Sequence, residues 1–248
     1  MRNYITSDWH LLHKNIIKYA ERLNYKPTNL DCEKMSQDII ESINKQVPDE
    51  KDIVLWNLGD LFFGRMFSEK TFDQLYQMIK VLKGKNRKLN LVLGNHDKTF
   101  KKYADWSKLK PLKETDSLKQ CFEALGFDNV YDRPVVFFDQ NDTTFGKYVI
   151  LSHEPLFIPK DEKIINIHGH VHQRNLKGDF FTLDFETVYN PDGSKSSVFR
   201  RKVDWKKFIV NPENYYNVCW DNPEHLYKVW NLDELVRKIF EVNSQDRD

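Results

Sequence analysis

Leu89-Asn90-Leu91-Val92-Leu93-Gly94-Asn95-His96-Asp97 is the stretch on which the fold turns. Leu89–Leu93 reads as a strand, and it ends in a polar motif. The same order of strand, polar motif and helix recurs upstream. Residues 2–7 read as a buried strand that ends at Asp8-Trp9-His10, and helical spacing follows over 14–23, with Ile16, Ile17 and Tyr19–Ala20 on the apolar side. A second helix is predicted over about 31–46, with Asp31 as its N-cap and Met35, Ile39, Ile40 and Ile43 at helical spacing. Ile53-Val54-Leu55-Trp56 is a continuous apolar run, as in a strand covered on both faces, and it ends at Gly59-Asp60. Ser68 is the expected cap of a helix over 69–82, closed by Gly84. This alternation argues for an α/β fold, in which sites form beyond the carboxyl ends of strands.

Downstream the pattern changes. A helix is expected at about 117–125. Val135–Asp139 and Tyr148–Leu151 read as antiparallel strands joined through Asn141-Asp142, and Ile164–Ile167 as a strand that feeds His168-Gly169-His170-Val171-His172. Tyr216–Trp220 and His225–Trp230 read as a closing pair of strands, followed by a helix over Leu232–Phe240. In between, Asn190-Pro191-Asp192-Gly193-Ser194 is a turn between alternating runs, so residues 174–215 are expected to form a hairpin-containing insertion on one domain spanning 1–248.

Composition bounds the function classes. With 248 residues, 40% of them apolar, the chain has enough apolar material for one large core. Its net charge of +1 gives no global bias toward nucleic acid or membrane, and 14% aromatic residues favour an ordered chain. Cys32, Cys121 and Cys219 are far apart and form no CxxC, which excludes a thiolate zinc site and a disulfide framework and fits a reducing compartment. The chain enters strand-like sequence at Asn3-Tyr4-Ile5-Thr6, and no apolar stretch approaches the length of a bilayer span. The expectation is a cytoplasmic protein without a membrane partner, in the host cytoplasm if its source is a virus.

Seven of the eight histidines lie in or beside four short motifs, leaving only His225 elsewhere. The motifs are Asp8-Trp9-His10 with His13 close behind, Gly94-Asn95-His96-Asp97, Ser152-His153-Glu154 and His168-Gly169-His170-Val171-His172; Gly59-Asp60 falls between the first two. Imidazoles and carboxylates gathered at strand ends point to metal ions, and to two of them. Asp8 and His10, like His170 and His172, are two apart and share a side if the chain is extended. Gly169 supplies a bend that permits close approach. Asp60 has two oxygens with which to bridge two cations, and Asn95 offers a neutral carbonyl oxygen. A set of oxygen and nitrogen donors without sulfur suits Mn²⁺ first, with Fe, Zn²⁺ or Ni²⁺ as other candidates. Two divalent ions bring about +4, Asp8 and Asp60 about −2 and a bridging hydroxide about −1, and the remaining positive charge attracts a phosphate ester.

Asp-x-His, Gly-Asp, Gly-Asn-His-Asp, a lone His and Gly-His-x-His, in that order, resemble the calcineurin-like metallophosphoesterases over roughly residues 1–172 and the closing strands, and the spacing Ser7-Asp8-Trp9-His10-Leu11-Leu12-His13 resembles a small bacterial and phage subgroup of that family. The resemblance implies a four-layer βαββαβ sandwich, two central mixed sheets flanked by helices. It implies that Asp8, His10 and His172 hold one metal, that Asn95, His153 and His170 hold the other, and that Asp60 bridges them. It implies that His96 is the general acid or phosphate contact and that Asp97 orients its ring. The implied activity is phosphodiester hydrolysis, of a nucleotide or nucleic acid in first place, by attack of a metal-bridging hydroxide. A phosphomonoesterase and a non-catalytic, metal-stabilised nucleic-acid-binding module stand as alternatives. Calcineurin itself carries an Asp-Arg pair soon after its Gly-Asp block; here the block continues Leu61-Phe62-Phe63-Gly64-Arg65, closer to the small phosphodiesterases and nucleases of the family.

Blander readings compete at several positions. His13 begins the helix at 14 or touches substrate, and Arg65 is a surface residue or a phosphate contact. His168 reads as a partner of a ligand or a core residue, and His225 as structural. Lys195, Arg200, Arg201, Lys202, Lys206 and Lys207, opposed only by Asp204, form a solvated hairpin face or an arm for a polyanionic substrate, with Arg200 and Arg201 as its candidate contacts.

Overall fold

All five residues of β2 (Ile53–Asn57) are buried, because both faces of this strand are covered. Alternate side chains go to opposite faces of a sheet. Ile53 and Leu55 enter one apolar cluster, with Met35, Ile39, Ile43, Leu75, Ile79 and Phe122. Val54 and Trp56 enter another, with Leu151, Ile165 and Ile167. The first cluster lies under the helices and the second lies between two sheets. The continuous apolar run in the sequence is thus a strand with a core on each side.

The computed structural model describes residues 1–63, 69–103, 109, 112–138, 148–156, 158, 164–172, 181–189, 195–204, 215–223 and 225–245; for 103, 138, 181–189, 195–204 and 240–245 it describes the backbone alone. In the first sheet β1 (Arg2–Thr6), β2, β3 (Lys88–Val92) and β4 (Asn129–Tyr131) run parallel, and β11 (Trp230–Asn231) pairs antiparallel with β1. In the second sheet β10 (Tyr215–Asn217), β7 (Ile164–His168) and β6 (Tyr148–Ser152) run parallel, and β5 (Val135–Phe138) pairs antiparallel with β6. Trp56 joins the two: its indole N–H donates to Asn3 at 3.0 Å, and its ring packs on Tyr131 at 5.5 Å and Phe137 at 5.4 Å.

The helices are α1 (Ile16–Tyr19), α2 (Asn29–Gln46), α3 (Glu69–Lys83), α4 (Asn95–Lys98), α5 (Phe100–Tyr103), α6 (Leu118–Ala124) and α7 (Leu232–Gln245). The architecture is an α/β sandwich of two mixed sheets with flanking helices, as expected. A separate antiparallel pair is formed by β8 (Phe181–Tyr189) and β9 (Lys195–Asp204), with Tyr189 opposite Lys195; the expected turn at 190–194 lies outside the described residues. The register of the pair shifts between Asp184 and Phe185, where a β-bulge leaves Arg200 without an opposite residue. Among the described residues no helix is long and apolar enough to cross a membrane.

Three expectations need correction. The helix over 14–23 shrinks to α1, because Glu21 takes a left-handed φ of 47° and the chain turns Arg22 inward. Tyr19 is consequently exposed. The closing strands do not form a pair: β10 joins the second sheet beside β7, and β11 joins the first beside β1. Edge positions beside β1 and β7 offer a whole row of backbone groups each, whereas the two segments meet each other through Tyr227 N–H to Trp220 O at 2.9 Å. Finally, Thr28 and not Asp31 caps α2; its hydroxyl accepts from Asp31 N–H at 3.1 Å.

An N-cap hydroxyl satisfies a helix donor that has no other partner. Thr28→Ala is expected to cost about 1 kcal/mol of stability, and Thr28→Ser to retain most of it. The urea midpoint should fall for the alanine variant with an unchanged slope. An unmoved midpoint would mean that water replaces the cap at no cost.

Candidate metal centre

The β1–β2 ladder does not stop where the strands end. Leu58 N–H donates to Thr6 O at 2.9 Å, Asp8 N–H to Gly59 O at 3.0 Å, His10 N–H to Asp60 O at 3.0 Å and Leu11 N–H to Leu61 O at 2.7 Å. Two loops therefore leave the sheet side by side, and this sets Asp8 and His10 against Asp60. The chain there is not extended, contrary to the spacing argument. Asp8, His10 and Asp60 have φ of 58°, 49° and 53°, and His170 and His172 have 70° and 50°. Each left-handed L-residue costs about 1–2 kcal/mol, which the surrounding backbone bonds must offset.

Three groups of side chains converge at these loops: Asp8, His10 and His172; His10, Asp60 and His96; Asp60, His153 and His170. In the first, His10 Nε2 lies 3.3 Å from His172 Nε2, and Asp8 Oδ1 lies 3.8 and 3.6 Å from those two nitrogens. In the third, Asn95 Oδ1 joins, 2.9 Å from His153 Nε2 and 3.0 Å from His170 Nδ1. Asp60 stands between them. Its Oδ1 is 3.5 Å from His153 Nε2, and its Oδ2 is 3.7 Å from His10 Nε2. His96 Nε2 is also 3.7 Å from Asp60 Oδ2, on a ring that is 28% exposed.

The surrounding donors determine which oxygens remain available. Asp8 Oδ2 accepts from the Ser7 hydroxyl, from His170 N–H at 2.9 Å and from the Cys219 thiol at 3.2 Å. Asp8 Oδ1 is buried and has no hydrogen-bond partner. An orphaned carboxylate oxygen beside two imidazole nitrogens, without sulfur in the group, fits a divalent cation. Gly169 allows the close approach, since a Cβ there would overlap Ser7 Oγ and Asp8 Oδ2. Gly59, at φ 102°, is equally constrained: a Cβ would lie 2.6 Å from His153 Nδ1.

Asp97, buried as it is, accepts from the N–H groups of Asp60, Leu61 and Gly94 at 2.9, 3.0 and 2.9 Å. These bonds clamp the Gly59-Asp60 loop to the Gly94-Asn95 loop. His13 is buried at 5% exposure, stacked on Phe63 at 4.6 Å, with its Nδ1 3.3 Å from His10 Nδ1. It stands behind His10. His168 bonds Gly169 O through Nδ1 at 2.9 Å, and His225 packs on Trp230 and Tyr216. Arg65 lies outside the described residues, as do the side chains of Arg200 and Arg201 and all of Lys206 and Lys207.

Two residues absent from the sequence reading belong to the site. Asp221 accepts from His172 Nδ1, with its oxygens at 2.9 and 3.0 Å. Arg22 donates to Asp221 at 3.2 Å and to the backbone oxygens of Asp8 and Trp9 at 2.8 and 2.9 Å. Neither belongs to a motif, and they are 199 positions apart.

The electrostatics are those of crowded, buried charge. Burial, with Asp8 and Asp97 nearby, pushes the Asp60 carboxyl up to about 7 against the pull of His153. Burial would also raise Asp8, but His172 and His153 hold it down at about 2. Burial alone would lower His172; the Asp221 carboxylate brings it to about 9. His10 is driven well below its usual range by burial and by the neighbouring His172 and Arg22. Such a set is costly without a compensating cation.

Gly169→Ala is expected to leave the far-ultraviolet circular dichroism unchanged and to weaken Mn²⁺ binding by at least about tenfold, because the new methyl group displaces Asp8 or Ser7. Wild-type affinity in this variant would show that the loop yields freely.

Comparison with known proteins places this geometry. The family model described as calcineurin-like phosphoesterase matches residues 1–235. An uncharacterized protein of Methanocaldococcus jannaschii is 35% identical over 100 residues, covering 40% of this chain and 49% of its own length. The chain thus spans about half the length of that curated relative. A protein of unknown function from Aquifex aeolicus, solved by crystallography, shares the fold with a TM-score of 0.52 at 20% identity, over 95% of this chain and 98% of its own. The match of the family model over nearly the whole chain shows that this protein belongs to the calcineurin-like phosphoesterase family.

Proposed function

We propose that the chain is a metal-dependent phosphoesterase that holds two divalent ions, Mn²⁺ in first place, and hydrolyses a phosphodiester of a nucleotide or nucleic acid. One observation carries the two-ion reading: the two oxygens of Asp60 face different donor groups, Oδ1 toward His153 and Oδ2 toward His10. On this reading Asp8, His10 and His172 hold one ion, Asn95, His153 and His170 hold the other, and Asp60 contacts both. When bound, the ions supply Lewis-acid polarisation of the phosphoryl group and lower the pKa of water.

The protein's own groups do the rest. His96 is 28% exposed and stands beside Asp60 at the donor groups, where it can give a proton to the leaving oxygen. Asp97 holds the loops that carry Asp60 and His96 in register. Phe63 lies edge-on against His96 at 5.1 Å. The diester is preferred to the monoester alternative because the continuation Leu61-Phe62-Phe63-Gly64-Arg65 resembles the small phosphodiesterases and nucleases of the family. The 174–215 segment, with its hairpin, is assigned to the same domain as an insertion, and Arg65, Arg200 and Arg201 remain candidate contacts for a longer anionic substrate.

Elemental analysis of Mn²⁺-loaded protein should give about two ions per chain. Asp60→Ala should empty both sites, and Asp8→Ala mainly one. One ion or none in the folded wild type overturns the two-ion reading. The loaded protein should also cleave phosphodiesters faster than the matching monoesters in a panel with linear and cyclic dinucleotides, and a reversed preference would favour the monoesterase.

His96→Asn should keep the metals and lose about 10²–10⁴-fold in kcat on an alkyl phosphodiester. The loss should shrink on a nitrophenyl diester, whose leaving group needs little proton help. Equal losses on both would mark His96 as a phosphate contact.

A further inference from the structure

Arg22 and Asp221 form a buried ion pair, each at 1% exposure, which the proposed chemistry does not use. Taking two charges out of water is costly, so a retained pair calls for a physical reason. What the pair touches supplies one. The Arg22 guanidinium donates to the backbone oxygens of Asp8 and Trp9 on one side and to Asp221 on the other. Asp221 in turn accepts a hydrogen bond from His172 Nδ1–H. One cation therefore ties the backbone that carries Asp8 to the side chain of His172.

The effect on His172 is specific. A neutral imidazole has one N–H and one lone pair. With Nδ1–H committed to Asp221, the lone pair is on Nε2, the atom that lies 3.3 Å from His10 Nε2 and 3.6 Å from Asp8 Oδ1. The second donor group is built differently. His153 Nδ1 lies 2.9 Å from Leu58 O, a neutral carbonyl, and His170 faces the group through Nδ1 itself. An ionised carboxylate behind a histidine raises its basicity more than a carbonyl does. The two groups are thus unequal by construction.

We infer that Arg22 and Asp221 are positioning residues for one of the two ion sites, that of Asp8, His10 and His172, and that they set its affinity apart from the other. This rests on the two-ion reading above. Asp221 orients His172 and strengthens it as a donor. Arg22 holds Asp221 in place and fixes the turn that carries Asp8.

Mn²⁺ titration of the full chain, followed by the paramagnetic resonance of free Mn²⁺, tests it. Asp221→Asn keeps the shape and removes the charge; it should weaken one of the two sites about 10–100-fold and leave the other unchanged. Because a buried Arg22 without its carboxylate destabilises the fold, the double variant Arg22→Met with Asp221→Leu replaces the pair by apolar groups of similar size. It should melt, metal-free, within a few degrees of the wild type and still lose the same single site. Arg22→Lys, which keeps the charge without the fork, should recover part of the affinity. Two unchanged sites in Asp221→Asn, or equal weakening of both, overturn the inference while the two-ion reading stands. A wild type that binds fewer than two ions overturns that reading, and this inference with it.

Discussion

A carboxylate buried without partners is among the costliest groups a protein interior can hold, and this site holds Asp8, Asp60 and Asp97 within one set of loops, all at 2% exposure or less. Most of the local structure follows from how each is satisfied. Asp97 is fully paired, by three backbone N–H groups from two loops, so its charge is spent on architecture. Asp8 is half paired: three donors hold Oδ2 and none holds Oδ1. Asp60 has one backbone donor, His96 N–H at 2.9 Å, and otherwise faces imidazole nitrogens. The graded pairing leaves bare oxygen only where the donor groups converge. It also separates a carboxylate that builds the site from those offered to a cation.

The scaffold must hold this arrangement against strain. Five of the seven expected ligands sit at left-handed φ, a region that L-residues occupy at a cost of about 1–3 kcal/mol each. Parallel backbone bonds that continue past β1 and β2, together with a core on both faces of β2, are what make that cost tolerable. The second sheet contributes in the same way. Gly169 N–H donates to His153 O at 2.9 Å, Val218 N–H to His168 O at 2.8 Å and Trp220 N–H to Ser7 O at 3.0 Å, so the loops of the two sheets are stitched to each other where the ligands meet. Ligands placed by main-chain bonds have little freedom to relax, and that rigidity preserves the spacing between the donor groups.

The sequence showed the central elements because their signals are local. Ile53–Trp56 declares a two-sided strand by its composition. The motifs that converge at the candidate site were readable for the same reason, each being a few adjacent residues at a strand end. Properties set by distant partners were not readable. Trp230 pairs with Ile5, and nothing near Trp230 encodes that choice over pairing with the Tyr216–Trp220 segment. Arg22 looks like an ordinary residue on a helix surface until Asp221 is brought to it, and the need to bury it is what ends α1 early. Asp97 was visible as a motif residue, but its three donors come from backbone whose direction depends on the fold. Thr28 and Asp31 are both good caps by residue type, and which of them precedes the first helical turn depends on where the chain leaves the previous loop.

Exposure across the imidazoles gives the site a direction. The side chains of His10 and His153 are 0% and 4% exposed, whereas His172 and His96 reach 22% and 28%. The least exposed rings are backed by neighbours that fix them, His10 by His13 and His153 by Leu58 O. His96 and His172 are part-exposed, as is His170, and His172 is backed by a carboxylate paired with a buried cation. On the proposed reading an ester approaches from this part-exposed edge, where His96 stands beside the donor groups, and its leaving group faces away from the core. A proton donor at the rim and ligands on the floor is what hydrolysis of a large ester requires: the phosphoryl group must reach the floor, while the rest of the substrate need not be enclosed.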